Sequence, residues 1–116
     1  DLVKSIGAAN TLSFSGDTIS AKNTDAIAAV ESLQAVLAEN EQSPNAVGIG
    51  IKTALVLGAG GAARAVAFGL KQQGIEVTVA ARTAERGQKV ATEVGCKAID
   101  WGARHRMPHD CIVNAT

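Results

Sequence analysis

The feature that most constrains this chain is a short apolar run that stops at a glycine and passes at once into a helical pattern. Residues 53–57 read Thr-Ala-Leu-Val-Leu, and Gly58-Ala59-Gly60-Gly61-Ala62-Ala63 follows with the spacing G-x-G-x-x-A. Residues 62–73 then show apolar side chains three and four apart, up to a stop at Gly74. A strand that turns directly into a helix leaves the first helical N–H groups free and the positive end of the helix dipole beside the turn. The first glycine permits the sharp exit from the strand, the second removes side-chain bulk where a phosphate approaches the backbone, and Ala63 lets helix and strand lie close. A tight turn with no ligand has the same outline. The strand before it and the helix after it are the context that favours a dinucleotide site over residues 58–63.

The same alternation continues downstream. Residues 76–80 read as a second strand, 84–94 as a second helix, 97–99 as a short third strand and 110–114 as a fourth, with an irregular connection over 100–109. Repeated strand–helix–strand order means parallel strands and right-handed crossovers, so the expected fold class is α/β, a Rossmann-like doubly wound parallel sheet. Upstream, residues 9–14 and 18–21 flank Ser15-Gly16-Asp17 as a short hairpin. From Asn23-Thr24-Asp25 a helix is expected to about Glu39, half buried along Ile27, Val30, Leu33 and Leu37, with Asn23 or Thr24 as its cap. Residues 40–52, with Pro44 and Asn45, read as a linker or exposed loop.

Composition excludes several classes. Lys plus Arg and Asp plus Glu are 11 each, so any anion site must be local; neither a general polyanion binder nor a membrane-surface protein is expected. Every apolar stretch is interrupted well before the roughly 18 to 20 residues of a membrane span, and a cytoplasmic setting is the default. Cys96 and Cys111 have no C-x-x-C spacing and read as reduced core thiols. His105 and His109 lack a third ligand, so no metal is expected. Arg104 and Arg106 read as part of a solvated basic loop without the aromatic interleaving of a nucleic-acid surface, and Trp101 as a packing residue at the sheet edge.

The end of the second strand selects the nicotinamide cofactor. An NAD site would place Asp or Glu there for the ribose hydroxyls, whereas this chain has Ala81-Arg82-Thr83-Ala84-Glu85-Arg86. Arg82 can stack on adenine and pair with a 2′-phosphate, Thr83 can donate to it, and Arg86 adds a second cation, so NADP(H) is expected. Two arginines solvating a helix start are the plainer alternative.

Ile6-Gly7-Ala8-Ala9-Asn10-Thr11-Leu12, then Asn23-Thr24-Asp25, Gly58 to Ala63, Arg82-Thr83 with Arg86, and Asn114-Ala115-Thr116 together resemble the shikimate dehydrogenase family in order and spacing. The resemblance covers essentially the whole chain. It implies NADPH-dependent reduction of 3-dehydroshikimate to shikimate in a cleft between two domains. Residues 1–22 would then be the end of the N-terminal substrate-binding domain, with the hairpin as its remnant, and 23–116 a truncated NADP-binding domain. Asn10 matches a substrate-hydroxyl ligand. Asp25 matches the catalytic carboxylate, which also meets substrate and works with a lysine. Asn114, Ala115 and Thr116 match a cofactor-side strand end.

Each of these has a simpler reading: a turn amide for Asn10, a helix-start carboxylate for Asp25, a strand terminus for Asn114 to Thr116. The family's lysine lies upstream of anything matched here, and Lys4 is not in its place, so a fragment of a longer enzyme, inactive alone, is expected. Ala81 stands where the family commonly has Asn, which removes one polar contact at the adenosine end. A quinate/shikimate dehydrogenase and a non-catalytic sensing relative are the alternatives. The assembly is left open, a homodimer being one form compatible with the sequence.

Overall fold

The structure, a computed structural model, describes residues 2–41 and 50–116. Most of the expected linker, 42–49, lies outside the described residues. The elements run α1 (Leu2–Ile6), β1 (Thr11–Ser15), β2 (Thr18–Lys22), α2 (Asp25–Glu41), β3 (Thr53–Leu57), α3 (Gly61–Gln72), β4 (Glu76–Ala81), α4 (Ala84–Val94), β5 (Lys97–Asp100), a 3-10 turn at Trp101–Ala103, and β6 (Cys111–Asn114).

Four strands form a parallel sheet in the order β5-β4-β3-β6. The chain winds outward from β3 through β4 to β5, then returns to the other side of β3, where Val56 pairs with both Val79 of β4 and Val113 of β6. Progression therefore reverses between β3 and β6, and the carboxyl ends of these two strands frame the crevice where open α/β sheets receive ligands. The doubly wound α/β expectation holds.

The alternating side chains of β3 and β4 explain which face is packed. Ala54, Val56, Val77 and Val79 meet Ala63, Val66, Ala67 and Leu70 of α3, and Val90 and Val94 of α4, in one buried cluster. Cys111 and Val113 extend it, while Ile112 between them points to the opposite face and is exposed. Full burial of Leu70 implies that truncation to Ala would cost about 2–5 kcal/mol.

The other side of α3 carries a second cluster of Ile6, Ala26 and Ala65. Gly69 makes it possible. A Cβ there would lie 2.8 Å from the Ala26 carbonyl oxygen, so the glycine allows α2 to pass close over α3. This close crossing also corrects the expected face of α2. Ala26 is buried and Val30, Leu33 and Leu37 are half buried, but Ile27 is 50% exposed, because the contact stripe runs through the small side chain beside Gly69 rather than the larger neighbour. The five-residue α1 was not anticipated; it ends at Gly7 in the left-handed region (φ 69°) and anchors through Ile6, 1% exposed.

The β1–β2 hairpin forms its own antiparallel sheet, with Phe14 opposite Ile19 and Leu12 opposite Ala21 on one face. At the far end of the main sheet, Asp110 staples β6 to β3: its Oδ2 accepts the N–H groups of Lys52 and Thr53 at 2.9 and 3.0 Å and the Thr53 hydroxyl at 3.2 Å. These bonds hold the Asp110 carboxyl below the ordinary carboxylate range. Cys96 and Cys111 are free and half buried, and burial raises both thiols above their usual value.

Candidate functional site

The glycine turn is pinned from both neighbouring strands. Gly58 N–H donates to the Ala80 carbonyl at 2.9 Å, and Ala115 N–H donates to the Leu57 carbonyl at 2.9 Å. Gly58 has φ 119°, and a Cβ on it would approach the Ala115 oxygen to 2.6 Å, so the position excludes a side chain both by conformation and by space. Gly60 is the N-cap of α3, with no side chain capping the helix. No heavy atom lies within 4 Å of where its Cβ would be, which leaves open room above the helix start. Arg64 N–H makes the first helical bond, to Gly60 at 3.0 Å, so the helix begins where the glycine spacing placed it. Ala63 is fully buried against the sheet. Gly61 and Ala62 are exposed on the first turn, and Ala59 is half buried in the turn itself.

Arg82 leaves the carboxyl end of β4, and Thr83 is the N-cap of α4 with its side chain making no capping bond. Arg82, Thr83 and Arg86 are all exposed, and among the described residues no carboxylate pairs with either arginine. These side chains, Gly58, Ala59 and Gly60, and the Ala115–Thr116 backbone border one cavity of about 260 Å³. Gly61, Ala62, Ala63 and Asn114 do not border it. Asn114 acts indirectly: its Oδ1 accepts the Thr116 N–H at 3.2 Å and the Thr116 hydroxyl at 2.7 Å, which bends the chain at the pocket rim. Trp101 also lines the cavity, a position that the reading of a sheet-edge packing residue did not foresee. The available signal was its place directly after β5, at the carboxyl edge of the sheet.

Asn10 and Asp25 are brought together although they start different elements. Asn10 Nδ2 donates to Asp25 Oδ1 at 2.7 Å and to Thr24 Oγ1 at 2.8 Å, and its Oδ1 accepts from Thr24 N–H and Thr11 Oγ1, each at 3.0 Å. The cap of α2 is supplied by buried Asn23, whose Oδ1 accepts Asp25 N–H at 3.0 Å while its amide donates to the Ala8 carbonyl. Asp25 is half buried, and among the described residues no Lys or Arg pairs with it. The segment that carries Asn10 is tied to the glycine turn's helix. Arg64 donates to the Gly7 carbonyl at 3.2 Å and pairs with Glu93 at 3.1 Å, and the Cβ of Ala8 sits 3.6 Å from where a Cβ of Gly61 would be.

Among the described residues no group of three His, Cys, Asp or Glu side chains could hold a metal ion, and no helix is long and apolar enough to cross a membrane. His105 is exposed and His109 is half buried at the opposite end of the sheet.

A parallel sheet that reverses at β3 and β6, with a glycine turn and a helix start facing the crevice, defines the class of Rossmann-like α/β folds. The sequence profile of shikimate / quinate 5-dehydrogenases matches residues 37–109, and the chain belongs to that family. It is 41% identical over 114 residues to a shikimate dehydrogenase (NADP(+)) of Maridesulfovibrio salexigens, a match that takes in 97% of this chain and 38% of that protein. A shikimate dehydrogenase (NADP(+)) of Syntrophobacter fumaroxidans is 39% identical over 120 residues, again covering 38% of its length. Among solved structures, shikimate 5-dehydrogenase of Thermus thermophilus in complex with NADP(H) and shikimate superimposes with a TM-score of 0.77 at 39% identity, over 99% of this chain and 40% of that one. The chain thus spans about two fifths of the length of the relatives it matches.

Proposed function

We propose that this chain is the cofactor-binding part of an NADP-dependent shikimate dehydrogenase, an oxidoreductase that reduces 3-dehydroshikimate to shikimate. The observation that carries the reading is one pocket uniting an uncapped helix start with two arginines that no described carboxylate neutralises. The residues fit the cofactor. Space over Gly60 suits a pyrophosphate, and the first-turn N–H groups face it. Arg82, Thr83 and Arg86 suit a 2′-phosphate, which a carboxylate at the end of β4 would repel. Relatives named for NADP(+) support the same choice.

When bound, the cofactor supplies the hydride. The chain's own residues hold the cofactor and orient a carboxylate for proton exchange. The glycine turn and Arg82 hold the nucleotide, and Ala115 and Thr116 border it. Asn10 orients Asp25, and an exposed amide hydrogen-bonded to a carboxylate suits a substrate hydroxyl. Asp25 exchanges the proton at the reacting oxygen together with a lysine, a role worth about 10²- to 10⁴-fold for a positioned acid–base group. No described lysine stands beside Asp25, so the chain by itself binds cofactor without turnover. In this reading residues 1–22 belong to the substrate-binding domain and 23–116 to the NADP-binding domain; the separate two-stranded sheet of the hairpin supports the division. A cytoplasmic setting belongs to the same proposal, supported by the two free thiols.

Calorimetric titration of the purified chain with NADP⁺ and NAD⁺ tests the reading, with Arg82→Asp run in parallel. A preference for NADP⁺ that disappears in the variant is the expected result. Equal affinity for both nucleotides, or no binding by folded protein, would overturn it.

A further inference from the structure

One wall of the nucleotide pocket has no role in the reaction described above. Trp101 borders the cavity alongside Arg82, Thr83 and Arg86, on the 3-10 turn that immediately follows β5. Its ring is half buried, yet Trp101 is part of neither core cluster. A large aromatic side chain that joins no core but fronts a cavity is exposing apolar, polarisable surface where a ligand would meet it.

The indole is also held. The Arg104 guanidinium carbon lies 4.3 Å from the ring centroid, within cation–π range. The same side chain donates a 2.7 Å hydrogen bond to the Trp101 carbonyl, and the Arg104 N–H donates to that carbonyl at 3.3 Å. One arginine thus fixes both the ring and its backbone. A ring already ordered loses little freedom when it gains a ligand contact.

The chemistry around it selects the partner group. The same pocket combines groups suited to anions, the α3 start with Arg82 and Arg86, and an aromatic surface. A phosphorylated nucleoside has both features, with a planar base joined to its phosphates. We propose that Trp101 is the contact surface for the adenine base of the bound dinucleotide, and that Arg104 is its positioning residue. The proposal rests on the NADP reading above.

Trp101 is the single tryptophan of the chain, so its emission reports on this wall alone. The purified chain is titrated with NADP⁺, with 2′-phospho-ADP-ribose and with nicotinamide mononucleotide, following fluorescence and heat in parallel. The expected result is quenching by the first two ligands, saturating at the calorimetric Kd, and none by the third. Trp101→Phe keeps most of the affinity, whereas Trp101→Leu loses roughly 10- to 100-fold, the range for losing one base–aromatic stack. Arg104→Ala moves the emission maximum of the free protein and weakens binding, and Arg104→Lys restores both in part. Circular dichroism melts of each variant separate these effects from unfolding.

Heat of NADP⁺ binding with unchanged emission would overturn the proposal, as would a Trp101→Leu variant that binds as well as Trp101→Phe. Absence of heat with any nucleotide would remove the cofactor reading itself, and this proposal with it.

Discussion

The α-carbon of Gly58 faces the carbonyl oxygen of Ala115 so closely that a methyl group on it would stand 2.6 Å from that oxygen. The contact joins the exit of β3 to the exit of β6 at the point where strand order reverses, and the cavity lined by Arg82 and Arg86 opens beside it.

Gly58→Ala should therefore damage both binding and stability. The φ of 119° is strained for any L side chain, and the clash is with the Ala115–Thr116 peptide, backbone that cannot rotate away as a side chain would. Strain of this kind costs about 1–3 kcal/mol before any displacement of Ala115 is counted. Thermal melts should show a clear drop in Tm, and NADP⁺ affinity should fall by more than the loss of folded protein explains. A variant with unchanged Tm and affinity would show that the turn has room the geometry denies it.

Gly69→Ala sets two effects against each other. Alanine gains about 1 kcal/mol of helix propensity over glycine in the middle of α3. Its methyl would lie 2.8 Å from the Ala26 oxygen and 3.2 Å from Val30 Cγ2, so α2 would have to lift. Overpacking typically costs 1–3 kcal/mol, and the closer contact is with backbone, so net destabilisation is expected in urea titration. An increase in midpoint would mean that α2 moves freely over α3.

The Asp110 staple should give stability a dependence on acid. Its folded-state carboxyl titrates below the ordinary value because it accepts the N–H groups of Lys52 and Thr53. The native state binds fewer protons than the unfolded state near that value, so this contribution is present above the unfolded pKa of about 3.9 and is lost as pH falls through the folded one. Melts taken from neutral pH downward should show a shallower acid decline for Asp110→Asn than for the parent. Parallel acid limbs would place the titration elsewhere.

Asp25 and its partner Asn10 should separate chemistry from cofactor binding. Under the proposed function, Asp25→Asn in the complete dehydrogenase should lower kcat by about 10²- to 10⁴-fold. NADP⁺ affinity should be unaffected, because Asp25 does not border the nucleotide pocket. Asn10→Ala should produce a smaller loss in kcat with a rise in KM for shikimate, since it releases the 2.7 Å bond that orients the carboxylate. Equal loss of cofactor affinity in both variants would argue for a purely structural cluster.

How far the sequence foretold these features depended on how local their causes are. β3 and α4 begin and end where the residue pattern placed them, and the other main-sheet strands within a residue, because glycine stops and β-branched runs act over short distances. The glycine turn was legible for the same reason. The outward side chain of Ile27 was not, since it depends on Gly69, 42 positions away, accepting Ala26 rather than a larger residue. α1 is shorter than two helical turns and shows no period. Trp101 is one step from a strand end in sequence, but only the returning chain makes that end the rim of a cavity. The Asn10–Asp25 pair spans 15 positions and two elements, and family resemblance alone suggested that the two residues serve one site.

The pairing of β6 with β3 has a kinetic consequence. Strands β3, β4 and β5 meet through neighbouring segments, whereas the Asp110–Thr53 contact closes a loop of 57 positions. Closing long loops is entropically slow, and topologies rich in such contacts fold later than local ones. The part of the pocket lined by Ala115 and Thr116 arrives with β6. A refolding chain should thus gain its helices and its central strand pairs before this pocket is complete, so that ligand capture reports the pairing of β6 with β3.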